Sequence, residues 1–329
     1  MSRSRHHVVS RGYQRFFADG ERVSLIDKVP RPGVPRCRPA GTKDVFVRSH
    51  FNSYLEDGHL VDKLEDEWAR IEDQSLPPIR AWIRGNAQAS TPDRAGSRDA
   101  AKLLAALHFA RSYAFRALHD ELSEAERKRA NTLLPADPEL LRLWWETYDA
   151  EPAPGDIEAL INDRFPEAVG PQSAFAVEQM AAFFNRAIDR LGQLQVQAVT
   201  PLDRQVQFVL GDSPFVLHST DRSLVGSGEL ALMDAERLFL PLSPHLGVFF
   251  TSSTEPDVAA PSPIIQRLNE LTWRAAREQV IAHPATDLTD ALARTEWARK
   301  VGRNDPCACQ SGRKSKACCG SRQAVRFQP

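Results

Sequence analysis

Cys307, Cys309, Cys318 and Cys319 stand close together as Cys-x-Cys, eight residues, then Cys-Cys, with a hydrophilic, turn-rich spacer between the pairs. Thiolates bind zinc tetrahedrally at about 2.3 Å, and two close pairs on a short loop can reach four corners of a tetrahedron without a large core. Disulfide pairing is the competing reading, but adjacent cysteines such as Cys318 and Cys319 rarely bridge each other, and no secretory signal points to an oxidising compartment. Four thiolates close the coordination sphere, so the expected site is structural, with no position left for an activated water. Metal binding should also fold this polar segment, which has little else to offset its ordering entropy. Zinc is the default metal; iron accepts the same soft ligands. The fifth cysteine, Cys37, lies in a proline-rich stretch and is read as a thiol outside the ligand set.

Elsewhere, residues able to do chemistry are spread along the chain. His6 and His7 could supply a general base or a metal nitrogen, Asp212 a carboxylate, Arg111 an anion clamp and Asn269 a positioning hydrogen bond. Glu65 and Glu72 lie two helical turns apart. The proline after Asp212-Ser213 would stiffen that turn. Each position also has a structural account. An Asp in a Gly-Asp-Ser-Pro turn commonly caps its own backbone, histidines near a terminus are often solvated, and the glutamate face can simply be wet. If these residues form a catalytic site, metal-assisted hydrolysis of a phosphoester is the reaction class they suit, a cation with an anionic substrate. No H-E-x-x-H, G-x-S-x-G, G-x-G-x-x-G or G-x-x-x-x-G-K-[ST] pattern occurs to name another.

Two resemblances follow from these residues. Val301 to Asp305, Pro306, Cys307, Cys309, Ser311, Gly312, Cys318, Cys319 and Gly320 resemble the SEC-C motif, found at the C-terminus of the SecA preprotein-translocase ATPase and on many otherwise unrelated bacterial proteins. In SecA the fourth ligand is a histidine, where this chain has Cys319, and Gln310 stands where the family usually has glycine. The resemblance implies metal binding and contact with a partner such as a chaperone or the ribosome. The body is similar to the family called domain of unknown function 4238. The likeness rests on His6-His7-Val8 followed by Phe16-Phe17, the Glu65 and Glu72 pair, residues 107–111, Asp212-Ser213-Pro214, residues 239–244 and Asn269, in that order. It implies an architecture and no reaction.

Charge fits an adaptor. From Arg299 onward eight basic residues face Asp305 alone. The tail therefore carries about +7, or about +5 as a four-thiolate site with a divalent ion, and the body about −8 within a chain of formal charge −1. A basic knob on an acidic body suits ribosomal RNA, another nucleic acid or an acidic protein face; a merely soluble tail is the plain alternative. The composition, 42% hydrophobic and 26% charged, is that of a globular protein. No apolar run approaches bilayer length and the first residues, MSRSRHHVVSRGY, carry no apolar stretch, so a cytoplasmic location without membrane contact is expected.

The elements that must position these residues give an α+β body (1–298), mainly helical with a small antiparallel sheet, then a zinc knuckle (299–322) and a short tail (323–329). Strands are expected at 22–27 and 43–51, with only loop between them. A helical stripe of Leu64, Trp68, Ile71, Ile79 and Ile83 should end or kink at Pro77-Pro78. A second helix, 98–122, places His108 and Arg111 on an apolar stripe, as a satisfied core histidine with a structural ion pair or as a ligand-binding pair. Further helices are expected at 140–148, 157–165, 174–199, 264–282 and 288–300, and strands at 205–210, 215–218, 237–242 and 246–252. Two functions are consistent with this organisation. One is an adaptor docked through its metal knuckle; the other is a metal-dependent hydrolase or nuclease targeted by that knuckle.

Overall fold

The computed structural model describes residues 5–29, 36–56, 59–87, 94–112, 138–148, 174–218 and 237–295, with a few isolated positions besides. The expected 157–165 helix and the four clustered cysteines lie outside the described residues. The described chain is α+β. Its helices are α1 (Arg11–Gln14), α2 (Lys63–Ala87), α3 (Arg94–Ala110), α4 (Pro138–Tyr148), α5 (Ala174–Gly192), α6 (Ser262–Ala275) and α7 (Leu288–Ala291). The expected single small sheet is instead several. A five-stranded sheet has the order β12 (Val258–Ala260), β7 (Gln195–Pro201), β11 (Leu246–Thr251), β10 (Arg237–Ser243), β9 (Val216–His218). It is antiparallel except where β12 runs beside β7. An antiparallel four-stranded sheet has the order β3 (Cys37–Gly41), β2 (Arg22–Asp27), β13 (Gln279–Ala282), β8 (Leu210–Gly211). Two-stranded pairs join β1 (Arg5–His7) to β4 (Val47–Ser49) and β5 (Tyr54–Glu56) to β6 (His59–Val61).

The main core lies where α2, α3 and α5 meet the five-stranded sheet. Alanines 101, 105, 106 and 110 of α3 are all buried and let its neighbours approach closely, while Leu104 and Phe109 fill the space between. Phe109 stacks on Phe183 of α5, ring centroids 5.1 Å apart, and meets Phe215 at 4.9 Å. A smaller core of Ile26, Val209, Trp273, Val280 and Leu292 seats α6 against the four-stranded sheet.

Several elements depart from the expected pattern. Helix α2 runs through Pro77 and Pro78 as one element. A proline inside a helix costs about 3 kcal/mol, and burying Leu76, Ile79 and Trp82 returns about 1.5–3 kcal/mol each; Ser97 Oγ also donates to the Pro78 carbonyl at 3.1 Å. The stretch 195–199 is strand β7 rather than the end of a helix, and 279–282 is strand β13 rather than the end of α6. Strand β3 occupies part of the expected proline-rich loop; it is an edge strand, where Pro39 is tolerated, and it holds Cys37 half-buried. In the expected 205–210 strand only Leu210 pairs, as part of β8.

Candidate functional site

The N-terminal pair β1–β4 is where the sequence candidates gather. Alone, a two-stranded pair is marginal, and among the described residues Val8 with Phe51 makes the small apolar cluster beside it. Polar side chains hold it to α2 and α3 instead. Arg111, 2% exposed at the end of α3, donates from one terminal nitrogen to Glu72 Oε1 at 2.9 Å. Its other terminal nitrogen donates to the His7 carbonyl and lies 3.6 Å from Glu65 Oε1. Glu65 and Glu72 reach the same guanidinium because seven residues on α2 are about two turns, on one face. Burial pushes the Glu72 carboxyl above its usual range, against the pull of Arg111.

His6 is fully buried. Its Nδ1 accepts the Asn52 N–H at 2.9 Å, which places the proton on Nε2, and Nε2 faces Asp62 Oδ1 at 3.5 Å. Nδ1 lies 4.0 Å from Glu65 Oε1. Asn52 Nδ2 donates to Glu65 Oε1, and Ser53 Oγ to Asp62 Oδ1 at 2.7 Å. With Nδ1 taken by a backbone donor, His6 has no lone pair left to take a proton from a substrate, and its buried Nε2 makes no hydrogen bond among the described residues. His7 donates from Nε2 to the Thr42 carbonyl at 3.3 Å, so its lone pair is on Nδ1; burial lowers its pKa. Next to them Phe46 and His50 adopt left-handed φ of 55° and 50°, a strain of about 1–3 kcal/mol each that the surrounding bonds must hold.

His108 lies one turn before Arg111. Its Nε2 accepts the Ser10 N–H at 3.1 Å and its Nδ1 donates to the Leu104 carbonyl at 3.0 Å. With the Tyr13 ring at 5.1 Å and Arg111 nearby, burial and charge repulsion lower its pKa to about 3. It is a neutral core histidine with both ring nitrogens bonded, the structural one of the two accounts open for it.

Asp212 and Asn269 do not join this network. Asp212 Oδ1 accepts the Arg277 N–H at 2.6 Å, and Oδ2 accepts Glu278 and Gln279 N–H at 2.8 and 2.9 Å. The carboxylate therefore clamps the turn between α6 and β13. Burial raises its pKa against the pull of those donors. Among the described residues no hydrogen bond or ion pair joins it to His6, His7 or Arg111. The link runs through the chain, since Arg48, register partner of His6, pairs with Glu278. Asn269 accepts the Val209 N–H at 3.2 Å and donates to the carbonyls of Gln207 and Ala291 at 2.8 and 2.9 Å. That ties α6 to the loop before β8 and to the end of α7. Both residues have structural roles here, although Asp212 caps a turn more than sixty residues downstream rather than, as expected, the backbone of its own Gly-Asp-Ser-Pro turn.

Asp62, Asn52, Ser53 and Ser10 belong to the cluster but were not singled out in the sequence. The available signal was Asp62 directly before α2, in a capping position that by itself suggests nothing more. Among the described residues no group of three or more His, Cys, Asp or Glu side chains is arranged to hold a metal ion, and no helix is long and apolar enough to cross a membrane. The family model described as "Protein of unknown function (DUF4238)" matches residues 5–286, and that of the SEC-C motif matches residues 303–321. No solved structure matches.

Proposed function

From the premise that this chain belongs to the DUF4238 family and ends in a SEC-C motif, we propose that it is a cytoplasmic adaptor. Its C-terminal knuckle holds zinc through Cys307, Cys309, Cys318 and Cys319 and docks the body onto an anionic partner, a ribosome, nucleic acid or acidic protein. The observation that carries this reading is the SEC-C match over a segment with four cysteines and a strong excess of basic residues. The body adds support, since its His6, Glu65, Glu72 and Arg111 groups are spent largely on one another. Elemental analysis of the full chain against a chain cut after Lys300 tests the knuckle. One metal per full chain is expected, none after truncation, and none in a Cys307→Ala, Cys318→Ala double variant. Retention of metal in that variant refutes the ligand assignment. Docking is read separately, as co-sedimentation with ribosomes that falls with salt and is lost with the tail.

A second reading, a metal-dependent hydrolase or nuclease in the body, draws on the convergence of two histidines, two glutamates and an arginine at one place. Metal retained by the truncated chain would favour it.

A further inference from the structure

A cleft of about 420 Å³ opens where six segments of the fold converge. They are the turn after α1 (Phe16, Ala18), the last turns of α2 (Ile83), the end of β7 (Thr200, Pro201), the loop that follows it (Arg204, Gln207), the β10–β11 turn (Ser243 to His245) and the end of β13 (His283). The volume is in the range of small-molecule sites. Its lining has two kinds of wall. Phe16, Ala18, Ile83, Pro201 and Pro244 make an apolar one. The other carries Arg204, His245 and His283 with the hydroxyls of Thr200 and Ser243, and no Asp or Glu is among the described residues that line it.

The donors on the polar wall can be assigned. Gln207 Oε1 accepts the Thr286 hydroxyl at 2.5 Å, so Gln207 Nε2 is the group facing His245 Nε2 at 3.4 Å, and the His245 proton sits on Nδ1. That Nδ1 is buried and has no hydrogen-bond partner among the described residues. His283 Nδ1 accepts the Ala285 N–H at 3.2 Å, which puts its proton on Nε2. Ser243 Oγ accepts the His245 N–H at 3.3 Å and keeps its own proton to donate. Arg204 is exposed and has no ion-pair partner among the described residues. Positive groups gathered around a concave surface repel one another. Burial first, and then Arg204 and His283, lower the pKa of His245; burial lowers that of His283 against the opposing pull of Asp19. An anion placed among them would remove the repulsion and hold both imidazoles protonated.

We propose that this cleft binds a small organic phosphate monoester, its phosphoryl group among Arg204, His245 and His283 and its apolar body against Phe16, Ile83 and Pro244. A dianion matches one permanent and two inducible positive charges, and the apolar wall selects an ester over inorganic phosphate. The proposal concerns the body alone and does not depend on the knuckle.

Calorimetric titration of the full-length protein with phenyl phosphate, with inorganic phosphate as the probe lacking an apolar body, tests it at about pH 7.5. Phenyl phosphate is expected to bind saturably and more tightly than inorganic phosphate, with net proton uptake seen as a dependence of the heat on buffer ionisation. Arg204→Ala and His245→Gln should each weaken phenyl phosphate at least about tenfold, and His245→Gln should reduce the proton uptake. Arg204 is exposed and has no ion pair among the described residues, so its variant should melt as the parent does, which separates a lost site from a lost fold. The basic tail could also attract phosphate, but such binding would be untouched by Arg204→Ala. Absence of saturable binding, binding equal in parent and both variants, or inorganic phosphate binding as tightly as the ester overturns the proposal.

Discussion

His108 offers a direct test of how the N-terminal pair is held. In the unfolded chain this imidazole takes up a proton near its ordinary 6.5; in the folded protein it resists down to about 3. Between those values the unfolded state binds the extra proton, so stability contributed by neutral His108 is complete above about pH 6.5 and falls as the pH drops. A pKa unit corresponds to about 1.36 kcal/mol. From about pH 7.5 to about pH 5.0 the loss attributable to this group works out at about 2 kcal/mol. The figure depends on the unfolded value alone, because pH 5.0 is still well above the folded one. Urea unfolding of the full chain and of a His108→Gln variant, followed at both pH values, isolates the effect, because every other ionisable group is present in both proteins and cancels in the difference. The parent should lose about 2 kcal/mol more than the variant on acidification. Parallel losses would refute the buried, neutral assignment and with it the Ser10 and Leu104 hydrogen bonds that anchor β1 and α1 to α3.

Two further substitutions probe the same architecture. Arg111→Met leaves the Glu72 carboxylate, the His7 carbonyl and Glu65 without their shared donor and should cost about 3–5 kcal/mol in urea unfolding. Part of that loss should be recovered at acid pH, where Glu72, already pushed up by burial, takes a proton. Asp212→Asn turns one amide N–H against a backbone donor at the turn after α6 and should cost about 1–3 kcal/mol, read by chemical unfolding. It should leave any ligand binding in the cleft beside His245 unchanged, since none of its hydrogen bonds involves a cleft residue.

Part of this was legible from the chain. The alternating residues 22–27 became β2, and the stripe Leu64, Trp68, Ile79 became the buried face of α2. The steps of three and four through Leu104 and His108 did place His108 and Arg111 together on the inside of α3. The misreadings have physical causes. Residues 194–199 alternate in a way that continues the apolar face of α5 for one more turn, so pairing with β11 and β12, a long-range event, decided the matter. The segment after Ala275 is rich in helix formers, yet Val280 to Ala282 sit in the middle of the four-stranded sheet, where burial outweighs propensity. Asp212 and Asn269 were readable as polar and well placed, but whether a carboxylate faces a substrate or three backbone N–H groups depends on a turn more than sixty residues downstream.

The cluster at β1 therefore has a consequence for how the body is read. His6, His7, Glu65, Glu72 and Arg111, together with the 107–111 stretch that carries His108, are among the residues on which the resemblance to the DUF4238 family rests, and they are also the ones that attach the N-terminal pair to α2 and α3. A two-stranded pair with little apolar surface of its own needs such an attachment. Arginine can serve two helix carboxylates and a strand carbonyl at once, which a single apolar contact cannot. On this argument the family's recognisable polar residues need no reaction to account for them, since the geometry of the fold already requires them. The Arg204, His245 and His283 cleft is the opposite case. Each of its imidazoles spends one nitrogen on a neighbour, Gln207 or the Ala285 N–H, and leaves the other without a hydrogen bond among the described residues, and a group with bonding capacity to spare is the better place to look for a ligand.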